Sequence, residues 1–218
     1  MEQSLEAMWK EGFLDDDALV APTLNDLYNK KSIHIIDKFK RMFRTNLNAI
    51  FIGSFLLLGV SFLIKIPILG IGYFIILNTI AIVNNKMFKS VNEIDNSVSS
   101  YQYIKAFDSW LKHKRLVNMR MAAYYYPAFF LSTILGFWYG NTPYMISGQD
   151  VVHYLLTHFP DTEMYFGFPL IVIQIVSVIS VLLLIVGGRI YEWDVNMVYG
   201  RVFNKLDQLL FEMEELRK

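Results

Sequence analysis

The sequence predicts an all-α membrane protein with four transmembrane helices arranged as two hairpins. Both termini and several amphipathic helices are expected on the cytoplasmic side. Three observations predict this fold: four long apolar runs, an uneven placement of lysine and arginine, and helical spacing of apolar residues between the runs. The 218 residues are 54% hydrophobic and 18% charged, whereas soluble domains have about 45–50% and about 25%.

The overall composition excludes some classes of function. The formal net charge is zero, so no global field favours nucleic acid or an acidic substrate. The chain has no cysteine, which excludes disulfides, thiolate metal sites and thiol catalysis. Residues 1–46, the predicted cytoplasmic N-terminal region, show no cleavable signal peptide and are expected to remain in the mature protein.

The first predicted hairpin covers residues 47–83. Its apolar runs, 47–64 and 68–83, are separated only by Lys65, Ile66 and Pro67. Proline disfavours helix continuation, and the lysine can reach the headgroups, so a tight turn is expected here. A single helix over both runs would be about 55 Å long, whereas the hydrocarbon core is about 30 Å thick.

The second predicted hairpin covers residues 121–188. Its runs, 121–140 and 166–188, are joined by the loop 141–165. None of the four runs contains Asp, Glu, Lys, Arg or His. Runs of this length without charge are typical of transmembrane helices rather than of buried core helices.

Lysine and arginine predict the orientation. Seven lie in residues 1–46, seven in 84–120 and five in 189–218, whereas Lys65 is alone in the first outer loop and the loop 141–165 has none. The positive-inside rule places the three basic segments in the cytoplasm. The expected location is therefore the cell membrane, crossed several times, and the inner membrane if the source is bacterial.

The three cytoplasmic segments each have an amphipathic pattern. From Thr23, apolar residues recur at helical spacing and basic residues fill much of the remainder, which fits either a helix on the anionic inner leaflet or a docking surface for a soluble partner. Segment 84–120 holds two helical stretches around a turn at 97–100. Segment 189–218 carries a heptad-like stripe at Tyr191, Val195, Val198, Val202, Leu206, Leu209, Met213 and Leu216. The stripe predicts packing on the middle segment, with a homodimer as the alternative.

Apolar and aromatic residues of these segments are the candidates for binding a cytosolic partner. The first 22 residues combine a small apolar set with the acidic run 15–17, which fits a short linear binding element or a flap that folds onto the basic face. The candidate residues are Trp9, Phe13, Leu27, Tyr28, Phe107, Trp110, Val202, Leu206 and Leu209.

The sequence contains no recognisable catalytic, cofactor or metal site. Polar residues in the spans favour helix packing, although Asn78 and Gln174 could instead line a channel. His153 and His158 in the outer loop are five residues apart, which does not match common metal-ligand spacings. A short interfacial helix is expected there instead. Neither a phosphate-binding glycine loop nor a nucleophile with a His/Asp pair is present, so an enzyme is not expected.

Several short strings resemble a family of uncharacterised four-span bacterial inner-membrane proteins, whose members are encoded beside extracytoplasmic-function sigma factors. The strings are 8–13 (MWKEGF), 25–34 (NDLYNKKSIH), 37–42 (DKFKRM), 101–103 (YQY) and 106–108 (AFD). The resemblance implies an anti-sigma role, in which a cytoplasmic helical surface holds a sigma factor at the membrane. The usual zinc-binding anti-sigma pattern requires cysteine and is missing here.

Together, these patterns predict a non-enzymatic regulatory or scaffold protein that binds a cytosolic partner, with a sigma factor as the suggested candidate. A small channel or transporter and a structural subunit of a larger membrane complex are the alternatives.

Overall fold

The computed structural model describes residues 22–95, 98–141 and 146–215, and it describes side chains from residue 30 onward. This part of the chain is almost entirely helical. Its elements are α1 (Pro22–Leu63), α2 (Pro67–Ser90), a 3₁₀ turn (Val91–Glu93), α3 (Ser100–Trp138), α4 (Gly148–His158), β1 (Met164–Tyr165), β2 (Phe168–Pro169) and α5 (Leu170–Glu215).

Two compact units divide the chain. The extension unit comprises the described residues of Met1–Arg44, Phe88–Lys114 and Val195–Lys218, and the span unit comprises Thr45–Met87 and Arg115–Asp194. Helices α1, α2, α3 and α5 each contribute residues to both units.

Three helices in the described part of the chain are long and apolar enough to cross a membrane. They lie within Lys30–Leu63, Pro67–Glu93 and Leu170–Glu215. These segments contain three of the four predicted spans. The remaining predicted span, 121–140, falls mostly in α3, where Tyr124, Tyr125, Tyr126 and Pro127 lower the mean hydropathy.

The break in the first hairpin is confirmed. Helix α1 ends at Leu63 and α2 begins at Pro67. The Ile66 amide donates to the Ser61 carbonyl over 2.8 Å, and the Lys65 amide donates to the Phe62 carbonyl over 3.2 Å. This pair of hydrogen bonds is the Schellman arrangement, which needs a left-handed residue after the helix, and Lys65 occupies that position with φ 63°.

The predicted boundaries between cytoplasmic segments and spans are not helix ends. α1, α3 and α5 continue through residues 46–47, 120–121 and 188–189 as single helices of 42, 39 and 46 residues. The chemistry of the side chains changes at these positions, but no proline interrupts the backbone there. Gly187 and Gly188 keep helical geometry, since glycine weakens a helix by about 1 kcal/mol per residue but, unlike proline, keeps its backbone N–H.

The prediction that the last span begins at Phe166 was wrong. The all-α prediction was also wrong for residues 164–169. Residues 164–169 form a two-residue antiparallel ribbon in which Tyr165 pairs with Phe168. Phe166 and Gly167 have φ values of 53° and 82°, as a two-residue hairpin turn requires. Helix α5 therefore begins at Leu170 rather than at Phe166.

The short helix predicted within the loop 141–165 is confirmed as α4. The Ser147 hydroxyl accepts from the Asp150 amide over 3.3 Å, and the Asp150 carboxylate accepts from the Ser147 amide over 2.8 Å. These reciprocal bonds form a capping box, which fixes the first turn of the helix. The hydrogen bond from the Ser147 backbone amide, and to a smaller extent the one from its hydroxyl, lowers the pKa of Asp150.

Candidate functional site

The extension unit has a hydrophobic core of its own. Its buried apolar residues recur every three or four positions, so that each helical segment turns one face inward. They are Ile36, Phe39, Phe43, Phe88, Val91, Tyr103, Ile104, Phe107, Tyr199, Val202, Leu206, Leu209 and Met213.

Phe39 lies at the centre of this core. Its ring centroid is 5.4 Å from that of Phe107, 5.5 Å from that of Tyr199 and 6.2 Å from that of Trp110. Edge-to-face and offset pairs of this kind each contribute about 0.5–1.5 kcal/mol beyond their buried area. Segments of α1, α3 and α5 are thereby joined through one phenylalanine.

Lys114 is buried against the same aromatic cluster. Its Nζ lies 3.1 Å from the centroid of the Phe43 ring and 5.6 Å from that of Trp110. Only 6% of the residue is exposed, and burial lowers its pKa from 10.5 to about 7. The ring faces favour the ammonium form, whereas the loss of solvation favours the neutral amine.

Polar contacts join the segments at the edge of the core. The Trp110 indole N–H donates to the Ser90 hydroxyl over 2.8 Å, which links α3 to the end of α2. The Tyr101 hydroxyl donates to the Glu214 carboxylate over 3.3 Å, which links α3 to α5. The prediction that the C-terminal helix packs on the middle segment is therefore confirmed.

The predicted partner-binding residues fall into three groups. Phe107, Val202, Leu206 and Leu209 are buried, and Trp110 is half-buried. Within this packing, a partner could reach the buried four only if the helices separated. Leu27 and Tyr28 lie on α1 in the stretch without described side chains, and Trp9 and Phe13 lie outside the described residues. A binding role for all nine remains a prediction.

The predicted stripe of α5 differs from the observed one at one position. Val198 is 47% exposed and Tyr199 is 6% exposed, so the inward stripe passes through Tyr199. In α1, Ile36 and Phe43 are buried, whereas Ile35 is half-buried. The regular four-three spacing of 195, 199, 202, 206, 209 and 213 could have identified Tyr199.

A basic groove of about 470 Å³ opens on the surface of the extension unit. We define the basic groove by its lining residues, which come from α1 and from the end of α2 with the 3₁₀ turn. They are His34, Asp37, Lys40, Arg41, Arg44, Phe88 and Asn92. The basic residues were visible in the sequence, but their placement opposite Phe88 and Asn92 was not.

Polar side chains inside the span unit join neighbouring helices. The Asn78 amide donates to the Ser54 hydroxyl over 2.9 Å, and the hydroxyls of Tyr73 and Thr133 are 3.0 Å apart. Asn78 therefore has the helix-packing role that the sequence favoured. Gln174 is exposed on α5.

Glycines allow the closest helix contacts of the span unit. A Cβ on Gly136 would overlap Leu69, lying 2.8 Å from its amide nitrogen and 2.9 Å from its Cα. A Cβ on Gly187 would lie 2.9 Å from the Ala122 carbonyl oxygen. Backbones approach this closely only where the side chain is a hydrogen atom, as in small-residue packing of membrane helices.

His158, in the loop 141–165, contacts a neighbouring tyrosine. His158 Nδ1 lies 2.9 Å from the Tyr154 carbonyl oxygen, and its ring lies 4.3 Å from that of Tyr154. Within residues 22–95, 98–141 and 146–215, no group of three or more His, Asp or Glu side chains could hold a metal ion.

Comparisons with known protein families, with curated proteins and with solved structures found no match. Function must therefore be inferred from the chain's own residues.

Proposed function

We propose that this chain is a non-enzymatic regulatory or scaffold protein with four transmembrane helices, which binds a cytosolic protein through its extension unit. The observation that supports this proposal is the separate core of the extension unit, centred on Phe39. Helices that served only to fill a membrane would not need to continue into a second packed unit. A sigma factor is the candidate partner suggested by the sequence resemblance.

The four-span topology rests on the charge distribution and on α3. The basic segments on either side of the hairpins hold nineteen lysines and arginines, against one in the two turns between the spans. The apolar half of α3 closely approaches α2 through Gly136 and Leu69 and approaches α5 through Ala122 and Gly187. A helix packed between two apolar helices in this way fits a fourth span.

The absence of cysteine allows a direct test of topology. Single exposed residues can be changed to cysteine and probed in intact cells with a membrane-impermeant maleimide. We expect Gln149→Cys and Phe166→Cys to react from outside, and Lys105→Cys and Lys205→Cys to react only after permeabilisation. If Gln149→Cys and Lys105→Cys react from the same side, α3 does not cross the membrane.

Exposed apolar residues on the extension unit provide a surface for a protein partner. Phe211 is 60% exposed and Met197 is 65% exposed, although both lie on the helix that carries the buried stripe. Neither residue contributes to the core of the unit, so polar replacements should leave the fold intact. Phenylalanine and methionine are enriched at protein interfaces relative to the rest of the surface.

The partner experiment uses the full-length tagged protein, purified from native membranes in a gentle detergent and analysed by mass spectrometry. We expect a soluble protein to co-elute in stoichiometric amount with the wild type and to be lost from the Met197→Ser/Phe211→Ser double variant. Phe166→Ser is the matched control, because this residue is 99% exposed but lies in the β1–β2 turn of the span unit. A sigma factor in the eluate would identify the class of regulator. Recovery of the wild-type chain without any soluble partner would contradict the proposal.

A further inference from the structure

We propose that the basic groove binds the phosphate group of an anionic phospholipid. This inference is independent of the protein partner, because the groove and the exposed residues Met197 and Phe211 are different surfaces of the extension unit. The proposal rests on the geometry of the groove, on its charge and on its sequence distance from the spans.

The geometry follows from the periodicity of α1. His34, Asp37, Arg41 and Arg44 are spaced by three, four and three residues, so they lie along one face of the helix. At about 1.5 Å per residue, this face is about 15 Å long. Phe88 and Asn92 line the opposite side from the end of α2 and the 3₁₀ turn. The result is an elongated groove with one basic wall.

Among the described residues, no carboxylate forms an ion pair with the basic side chains of the groove, Lys40, Arg41 and Arg44. Lys112 and Arg115 do form such pairs. Asp37 is the one carboxylate among the lining residues that the structure describes. Two guanidinium groups one helical turn apart can donate several hydrogen bonds to phosphate oxygens, and Lys40 adds a third positive charge.

The distance along the chain favours a lipid as the source of the phosphate. Arg44 lies three residues before the apolar run 47–64, and Phe88 lies five residues after the run 68–83. Because α1 and α2 continue through these positions, the two side chains lie within about 5–8 Å of the run ends along the helix axes. Basic pockets at this depth on the positively charged side of a membrane protein bind anionic headgroups.

Phe88 fits this assignment. It is 6% exposed, and its ring lies 5.1 Å from that of Phe43, so it makes part of the lining apolar. A groove with basic and apolar lining next to a span suits a headgroup with its glycerol attached. A free phosphate ion would use the basic wall alone.

The test measures lipid binding to the purified full-length protein in a neutral detergent by native mass spectrometry, with thermal stability as a second readout. The probes are dioleoyl phosphatidylglycerol, dioleoyl phosphatidylcholine and inorganic phosphate. We expect phosphatidylglycerol to bind and to raise the melting temperature. Phosphatidylcholine should bind more weakly, because its choline cation is repelled by the basic wall. Inorganic phosphate at low millimolar concentration should not displace the bound phosphatidylglycerol.

Charge-matched variants separate the groove from general surface charge. Arg41→Gln/Arg44→Gln should weaken phosphatidylglycerol binding about thirtyfold, or about fivefold for each charge. Lys38→Gln/Lys89→Gln removes two exposed charges near the same spans but outside the groove, and should change binding less than about threefold because salt screens distant charges. Asn92→Asp adds a carboxylate to the opposite wall and should also weaken binding, without removing any core residue.

Three results would overturn the proposal. Equal losses in the two double variants would show that general surface charge, not the groove, binds the lipid. Displacement by inorganic phosphate, with an equal gain in melting temperature, would assign the groove to a soluble phosphate compound. Failure of phosphatidylglycerol to bind the wild type would exclude the site.

Discussion

The ammonium of Lys114 lies over the ring of Phe43, with 3.1 Å between Nζ and the ring centroid. Two opposing effects act on this cation. Burial lowers its pKa to about 7, while the ring face stabilises the charged form by about 2 kcal/mol or more when the cation is desolvated. The protonation of Lys114 is therefore coupled to the packing of the extension unit.

Lys114→Met should reduce the dependence of thermal stability on pH. The pKa of Lys114 is about 7 in the folded protein and 10.5 as the ordinary value. At pH values between these two, the unfolded chain binds more protons than the folded protein. The free energy of unfolding therefore rises with pH from about 7 to about 10.5, and Lys114 adds no pH dependence below about 7. The slope approaches about 1.4 kcal/mol per pH unit. Melting temperatures in detergent between pH 6.5 and 9.5 would measure it.

The control for this prediction is Lys112→Met. Lys112 is exposed and pairs with Asp108 over 2.6 Å, so this variant should keep the wild-type pH slope. If Lys114→Met also keeps that slope, Lys114 is not the titrating group.

Gly136→Ala should destabilise the span unit by about 1–3 kcal/mol, the usual range for overpacked cores. The added methyl group would overlap Leu69, and the nearest groups include backbone atoms of α2 that cannot rotate away. Gly59→Ala is the matched control, because no atom lies within 4 Å of a Cβ at that position. It should be neutral or stabilising by up to about 1 kcal/mol, since alanine has the higher helix propensity. Unfolding of the two variants in mixed micelles would give the difference, and equal stabilities would contradict the predicted close contact.

Asn84 and Asn118 should show strong coupling in a double-mutant cycle. The Asn118 side-chain amide donates to the Asn84 carbonyl oxygen over 3.1 Å, and both residues are buried. Asn118→Leu removes this donor and should cost about 1–3 kcal/mol. Changing both residues to leucine should cost less than the sum of the single changes, because neither amide is then left without the other. Additive effects in detergent unfolding would argue against a shared hydrogen bond.

Lys65→Gly should stabilise the first hairpin. Lys65 has φ 63°, a left-handed conformation that costs a non-glycine residue about 1–2 kcal/mol. Part of the gain is offset by the greater freedom of glycine in the unfolded chain, so the expected net effect is about 0.5–1 kcal/mol. Lys65→Val should have the opposite sign, because a β-branched residue tolerates this conformation poorly. Melting temperatures of the two variants would check both signs, and a loss of stability on Lys65→Gly would point to a direct role for the ammonium group.

The sequence predicted the local features of the fold better than the contacts between segments. Pro67 and the uncharged runs on either side of it were sufficient to predict the break between α1 and α2, because proline disfavours helix continuation at its own position. Tyr199 was missed because Val198 is also at helical spacing from Val195 and Val202, so spacing to these two neighbours alone does not distinguish the two positions. The basic groove depends on Arg44 and Asn92, which are 48 residues apart, and no short-range pattern reports such an approach. Long-range packing has to be seen in three dimensions.

The length of α5 has a mechanical consequence. A straight helix of 46 residues is about 69 Å long, and neither α5 nor the part of α1 beyond Pro22 contains a proline that would act as a hinge. A helix of this length fits the roughly 30 Å of hydrocarbon only if it tilts or extends beyond it. Bilayer thickness alters the tilt of transmembrane helices. We therefore expect the tilt of the apolar part of α5 to follow the thickness of the bilayer.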